Sequence, residues 1–224
     1  MKPILLALAV VACFTPQGLS AEPAKPRKIV LIAGPKSHGP VGNGIHDYGW
    51  SVKLLKVMLE TSNIKDKVRV ETHLDGWPRD PKTLDDADAL LIISDGRDGN
   101  LYQEAPHLAS KERVRYLDGL MKKGCGFATF HFSTFAPNEY AEQVLEWSGG
   151  YFQWETEGKR QWYSAITTVE AEVRIGDKDH PIARGLKPFT MREEFYFHIR
   201  FKPTDPPLRP ILVVPALKGR EPDG

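Results

Sequence analysis

The chain has 224 residues, with 30 Lys and Arg against 29 Asp and Glu and a formal net charge of +1 at pH 7. Its 41% hydrophobic and 26% charged residues fit a globular domain and exclude a collagen-like or largely disordered chain. The balanced charge, with no Lys/Arg run, also excludes an electrostatic nucleic-acid binder, which needs a basic patch of phosphate contacts.

Residues 1–21 read as a signal peptide. Met1-Lys2 supplies a positive start, Ile4 to Phe14 an apolar run, and Gly18-Leu19-Ser20 a small-residue exit before Ala21. A run of about 11 apolar residues falls short of the roughly 20 that a membrane-spanning helix needs. No transmembrane span is expected, and the protein is expected to be exported, either periplasmic or secreted. The alternative is a lipid anchor, because Val10-Val11-Ala12-Cys13 resembles a bacterial lipobox ending on Cys13. Residues 22–27 form a Pro-bearing linker, and a single domain is expected over 28–224. Cys13 and Cys125 are the only cysteines, and the first is cleaved or lipidated, so no intrachain disulfide is expected.

Lys28–Gly34 is a continuous apolar run closing on glycine, as in a strand buried on both faces. A glycine-rich loop, Pro35–Gly44, leads to a helix in which Trp50, Leu54, Leu55, Met58 and Leu59 fall at helical spacing. Val68–Thr72 and Asp88–Ser94 read as strands two and three. Lys111–Lys122 is an amphipathic helix with Val114, Leu117, Leu120 and Met121 on one side. Gly126–Phe132 reads as a fourth buried strand and Pro137–Trp147 as a short helix. This βα rhythm predicts an α/β fold with a parallel sheet covered on both faces. Beyond Gly150, the segments Trp162–Arg174, Phe195–Ile199 and Ile211–Val214 predict added antiparallel or edge strands. The chain closes on the turn signal Glu221-Pro222-Asp223-Gly224, which suggests that the domain lacks its final C-terminal segment.

Ligands of open parallel sheets bind outside the carboxyl ends of the strands, which selects three loops. The first holds Ser37, His38, Asn43, His46 and Asp47, the second Asp95, Arg97 and Asp98, and the third His131, Ser133, Thr134, Asn138 and Glu139. The glycines of the first loop could cradle an anion, although the spacing is neither G-x-G-x-x-G nor a Walker sequence. The competing reading is a flexible turn in which Asn43 or Asp47 caps the helix. His131 closes a buried strand, a position that favours a functional histidine over a core one. His38, His46 and His131 together would suit zinc or another divalent ion, though their spacing is no known zinc signature. Glu194, beside Phe195 and Tyr196, is a carboxylate among aromatic rings and a candidate acid or base. Trp147, Tyr151, Phe152, Trp154, Trp162 and Tyr163 could build core or stack on sugar faces. Cys125 lies at the start of the fourth strand, the wrong end for a nucleophile.

The chain resembles the ThuA-like (trehalose utilisation) family of the class I glutamine amidotransferase-like superfamily. The resemblance is carried by Lys28–Gly34 with Gly44-Ile45-His46, by Asp88–Gly96, Gly124–Ser133 and Glu139-Tyr140, and by Gly149–Phe152. Asp179–Ile182, Gly185-Leu186 and Glu194–Tyr196 complete it. It implies a flavodoxin-like three-layer sandwich and a link to carbohydrate metabolism. His131-Phe132-Ser133 stands where amidotransferases carry a nucleophilic cysteine, so glutamine hydrolysis is not expected. The reading that follows is an exported protein acting on a sugar or oxidised (keto) sugar. His131, His46 and Glu194 are its catalytic candidates. His38, Asn43, Asp95, Arg97, Ser133, Glu139 and Tyr196 are its substrate-binding candidates, and His38, His46 and His131 hold any metal. The expected partner is a small sugar, with homo-oligomer formation possible. Two alternatives are a carbohydrate-binding module without turnover and a serine hydrolase using Ser133, which lacks a G-x-S-x-G elbow.

Overall fold

A computed structural model describes residues 25–96, 105–153, 155–156, 159–160, 163–203 and 207–214. The expected leader, Cys13, Arg97, Trp154, Trp162 and the chain's last residues lie outside them. The elements run β1 (Arg27–Ala33), α1 (Tyr48–Thr61), β2 (Val68–His73), β3 (Ala89–Ile93), α2 (Lys111–Lys122), β4 (Gly126–Phe130), β5 (Phe135–Ala136), α3 (Ala141–Ser148) and β6 (Gly150–Gln153). Then follow β7 (Glu155–Thr156), β8 (Lys159–Arg160), β9 (Ala165–Ile175), β10 (Phe189–Phe197), β11 (Arg200–Phe201) and β12 (Leu212–Val213).

The first four strands form one parallel sheet in the order β2-β1-β3-β4. The alternation of side chains along β1 builds the layers. Val30 and Ile32 pack with Leu117 and Leu120 of α2 on one face, and Leu31 and Ala33 with Tyr48 and Val52 of α1 on the other. The result is an α/β flavodoxin-like sandwich. The C-terminal third adds antiparallel strands, β10-β9-β12 in one sheet, with β11 pairing β6 in another. Among the described residues no helix is long and apolar enough to cross a membrane.

The first helix forms over the residues expected for it, and one other expectation needs correction. The α1 helix docks through Tyr48 and Val52, with Leu55 and Leu59 beside them, whereas Trp50, Leu54 and Met58 are exposed. Its apolar residues cover more than one face, and a 3.6-residue period alone does not say which face meets the sheet. Strand β4 is not buried on both faces, because it is the end strand of the described sheet. Gly126, Ala128 and Phe130 are exposed on the α1 side, and the strand ends at Phe130 rather than Phe132.

At the amino ends of the strands, the Lys28 side chain is only 5% exposed, with Nζ 2.9 Å from Glu71 and 2.7 Å from Asp86. Removing one partner of a buried ion pair strands the other. Lys28→Met is expected to cost about 2 kcal/mol in urea unfolding. That is below the roughly 3–5 kcal/mol of a fully buried pair because Asp86 keeps much of its water. An unchanged midpoint would show that the ammonium contributes nothing.

Candidate functional site

The first loop, which leaves β1, is held from within. Lys36 Nζ donates to the carbonyls of Ser37 and Ile45 and lies 3.8 Å from Asp47. Asp47 precedes α1 as a helix cap would, but its side chain makes no cap bond to α1. Its carboxylate instead accepts from the amides of Gly42 (3.2 Å) and Gly44 (3.0 Å). The amides that could have cradled an external anion are taken by one of the chain's own. Asn43 Nδ2 donates to the His38 carbonyl, and its Oδ1 accepts from the Ile45 amide, so Asn43 shapes the loop.

Asp95 follows β3 and is 2% exposed. Its Oδ1 accepts from Ser37 Oγ (2.7 Å) and from Tyr48 OH, with His46 Nδ1 at 3.3 Å. Burial pushes this carboxyl up, but the bonds from His46, Tyr48 and Ser37 outweigh burial and hold it below the usual range. Tyr48 is pushed up by burial and by its bond to Asp95, so it stays a phenol. Ser37 Oγ also lies 2.7 Å from His38 Nδ1 and 3.1 Å from His46 Nδ1. The His38 and His46 ring centroids are 3.9 Å apart.

His131 opens a tight 3-10 turn, His131–Thr134, directly after β4. Gly96 makes room for this turn, since a Cβ there would overlap Phe135 and the Phe132 carbonyl. His131 Nε2 lies 3.3 Å from His46 Nε2, and Tyr196 OH of β10 lies 2.9 Å from His131 Nδ1. The hydrogen-bond pattern assigns the protons. Asp95 is a carboxylate, so His46 carries its proton on Nδ1 and accepts at Nε2. His131 then donates from Nε2 and accepts from Tyr196 at Nδ1. Burial lowers the His131 pKa, the neighbouring His46 adds to the fall, and Glu194 and Glu193 oppose it.

The non-glycine residues with positive φ among those described are His38 (58°), His46 (49°), His131 (56°) and His198 (52°). Each carries a backbone penalty of order 1 kcal/mol that glycine would avoid, and such strain concentrates at functional sites. Three of the four meet here.

Of these side chains, His46, Tyr48 and His131 line a cleft of about 960 Å³ between the first loop, α1, the ends of β3 and β4, and β10. Its walls include Asp47, Trp50, Phe130, Glu193 and Glu194, and no Lys or Arg is among its described lining residues. The cleft lies at the β1/β3 switch of connection order, the position expected for a ligand site in this topology. Of the predicted residues, His38, His46, Asp95, His131 and Tyr196 come together, and Glu194 lies at the wall. Ser133 does not face the cleft. It is buried, its hydroxyl lies within hydrogen-bond distance of the Ile92 and Phe130 carbonyls, and it accepts from the Phe130 amide. A nucleophilic Ser133 is thereby discarded. Glu139 is exposed in a 3-10 turn and is not among the cleft-lining residues.

Tyr151 and Phe152 are buried core, while the exposed rings at the cleft are Trp50 (65%) and Phe130 (56%). Sequence reasoning missed Tyr48 and undervalued Ser37 and Glu193; only the position of Tyr48, next to Asp47, hinted at its role. The donor atoms that converge within 4.8 Å of one another belong to His38, His46 and Asp95. Asp95 thus takes the third place expected for His131. Two imidazoles and a carboxylate are a donor set that fits a borderline divalent ion.

A family profile described as ThuA, trehalose utilisation, matches residues 42–218. Among curated proteins none matches. A solved structure of a ThuA-like protein from Bacteroides uniformis is similar at 16% identity and a TM-score of 0.49, covering 80% of this chain and 64% of its own. This chain thus spans less than two thirds of that relative's length. The family match takes in both the His46 and His131 loops and the Tyr196 strand, and the chain belongs to the ThuA, trehalose-utilisation family of carbohydrate metabolism.

Proposed function

We propose that this is an exported protein that moves protons on an uncharged sugar or keto sugar bound in the cleft. The observation carrying this reading is the pair of ring nitrogens, His46 Nε2 and His131 Nε2, 3.3 Å apart and lining the cleft. Asp95 holds His46 in one tautomer, as the carboxylate of a catalytic triad does. Tyr196 holds His131, and Glu194 at the wall accepts from sugar hydroxyls. A ligand entering between the rings meets one nitrogen that accepts a proton and one that donates. That pairing suits proton abstraction beside a carbonyl with protonation of the oxygen. Trp50 and Phe130 offer apolar faces to a sugar ring, and the carboxylate-lined walls disfavour sugar phosphates.

The test is proton NMR of glucose and fructose incubated with the protein in D2O, with trehalose, which has no free carbonyl, as a binding control. Exchange of a carbon-bound proton is expected, falling by at least about 100-fold in His131→Gln. Saturable binding without exchange would favour the second reading, a carbohydrate-binding module, which the exposed Trp50 and Phe130 also suit. No binding of any of the three sugars would overturn both. Export rests on residues 1–21, and the mass of the mature chain separates cleavage near Ala21 from lipidation at Cys13.

A further inference from the structure

We propose that His38, His46 and Asp95 bind one divalent cation of the zinc class and that His131 serves as its outer partner. The inference rests on the cleft being the reactive site and adds to that reading a Lewis acid beside the sugar.

Geometry comes first. His38 Nδ1, His46 Nδ1 and Asp95 Oδ1 surround one point, where the Ser37 hydroxyl sits 2.7, 3.1 and 2.7 Å from them. His46 Nδ1 and Asp95 Oδ1 are 3.3 Å apart, close to the ligand separation that two bonds of about 2.0–2.1 Å give in a tetrahedral site. Turning the Ser37 side chain away leaves two nitrogens and one oxygen facing a common centre, with the Tyr48 hydroxyl beside it, 2.8 Å from His46 Nδ1 and donating to Asp95 Oδ1. Two imidazoles and a carboxylate are a three-ligand donor set of the kind zinc takes.

Electrostatics and strain point the same way. Asp95 is buried, and Glu193 and Glu194 line the cleft without a Lys or Arg among the described lining residues, while Asp47 faces Lys36 at 3.8 Å. A cation relieves that excess of negative charge. The left-handed backbone of His38 and His46 aims both imidazoles at the same point, at a cost that a hydrogen-bonded serine alone does not require.

The outer shell is present as well. A metal-bound histidine donates its other ring N–H to a fixed partner. With a cation on Nδ1, the His46 proton moves to Nε2, where His131 Nε2 stands ready to accept. The His131 proton then sits on Nδ1 and is given to the Tyr196 oxygen. No proton is gained or lost overall, but His131 changes from donor to acceptor toward the cleft. Loading the site thus makes His131 Nε2 the acceptor of the His46 proton.

The experiment uses the full chain, purified without an affinity tag and stripped with EDTA, then titrated with Zn²⁺ by calorimetry and with Co²⁺ by visible absorbance. One equivalent is expected, with Kd of about 1 μM or tighter. His38→Gln and Asp95→Asn are expected to weaken binding by about 100-fold or more, and His131→Gln by roughly tenfold. Ser37→Ala removes only the central hydroxyl and is expected to retain binding, which keeps the test open should Asp95→Asn fail to fold. No saturable uptake below about 100 μM, or equal uptake by wild type and His38→Gln, overturns the site. Sugar binding to the stripped and loaded protein is a separate readout. Sugar bound without metal uptake overturns this inference alone, and metal uptake without sugar overturns only the proposed ligand of the cleft.

Discussion

His131→Gly is expected to remove at least about 100-fold of the proton-exchange rate while leaving stability within about 1 kcal/mol of wild type. Two opposing terms set the stability. Glycine relieves the φ of 56°, and it forfeits the ring contact with Tyr196, at 5.4 Å between centroids, together with its hydrogen bond. Each term is of order 1 kcal/mol, so they nearly cancel. His131→Ala loses the same ring and keeps the strain. The glycine variant is therefore expected to be the more stable of the two by about 1 kcal/mol, the reverse of the usual order in regular structure. Urea unfolding of both variants beside the exchange assay decides the matter. An alanine variant that unfolds later than the glycine one, or either variant keeping wild-type exchange, would sink the reading.

Acid is expected to weaken the protein through a different histidine. His107 is 1% exposed, and its Nδ1 has no hydrogen-bond partner among the described residues. Burial drives its pKa down to about 4, against a smaller upward pull from a hydrogen bond with the Ser133 backbone. The unfolded chain takes up this proton below about pH 6.5, but the folded chain only near pH 4. Between those values the unfolded state holds more protons, so stability rises with pH across the window. The contribution is whole above about pH 6.5 and gone below about pH 4, roughly 3 kcal/mol in all. His107→Leu is expected to flatten that part of the curve, at a cost of about 1 kcal/mol at pH 7 for the lost backbone bond. Parallel urea midpoints from pH 7 to pH 4 in wild type and variant would refute the assignment. Because His107 is hydrogen-bonded to the Ser133 backbone, acid weakens the support of the turn that carries His131.

Much of the fold was legible because its signals are local. The apolar run of β1, the amphipathic pattern of α2 and the β-branched stretch of β2 each satisfy a period that one element alone imposes. Faces were harder to read. In α1, Trp50, Leu54 and Met58 share helical spacing with Leu55 and Leu59, and only docking against Leu31 and Ile93 separates the two sets. The site was legible as three loops at one sheet edge, since topology brings strand ends together whatever their side chains. What each residue does there was not. Asp47 looked like a cap until Gly42 and Gly44 turned their amides to it, and Ser133 looked available until β3 and β4 claimed its hydroxyl. Left-handed backbone at three histidines leaves no trace in composition or spacing, because the surrounding fold imposes it.

The carboxylate of Asp47 resting on the Gly42 and Gly44 amides has a consequence for the surroundings in which the protein works. Natural fluids carry inorganic phosphate, sulfate and nucleotides, and each would compete for a row of free amides on a glycine loop. Here the seat is filled by a tethered group whose effective concentration is of order millimolar or higher and never dilutes away. An anion from the surroundings would have to displace this tethered carboxylate before it could reach the Gly42 and Gly44 amides.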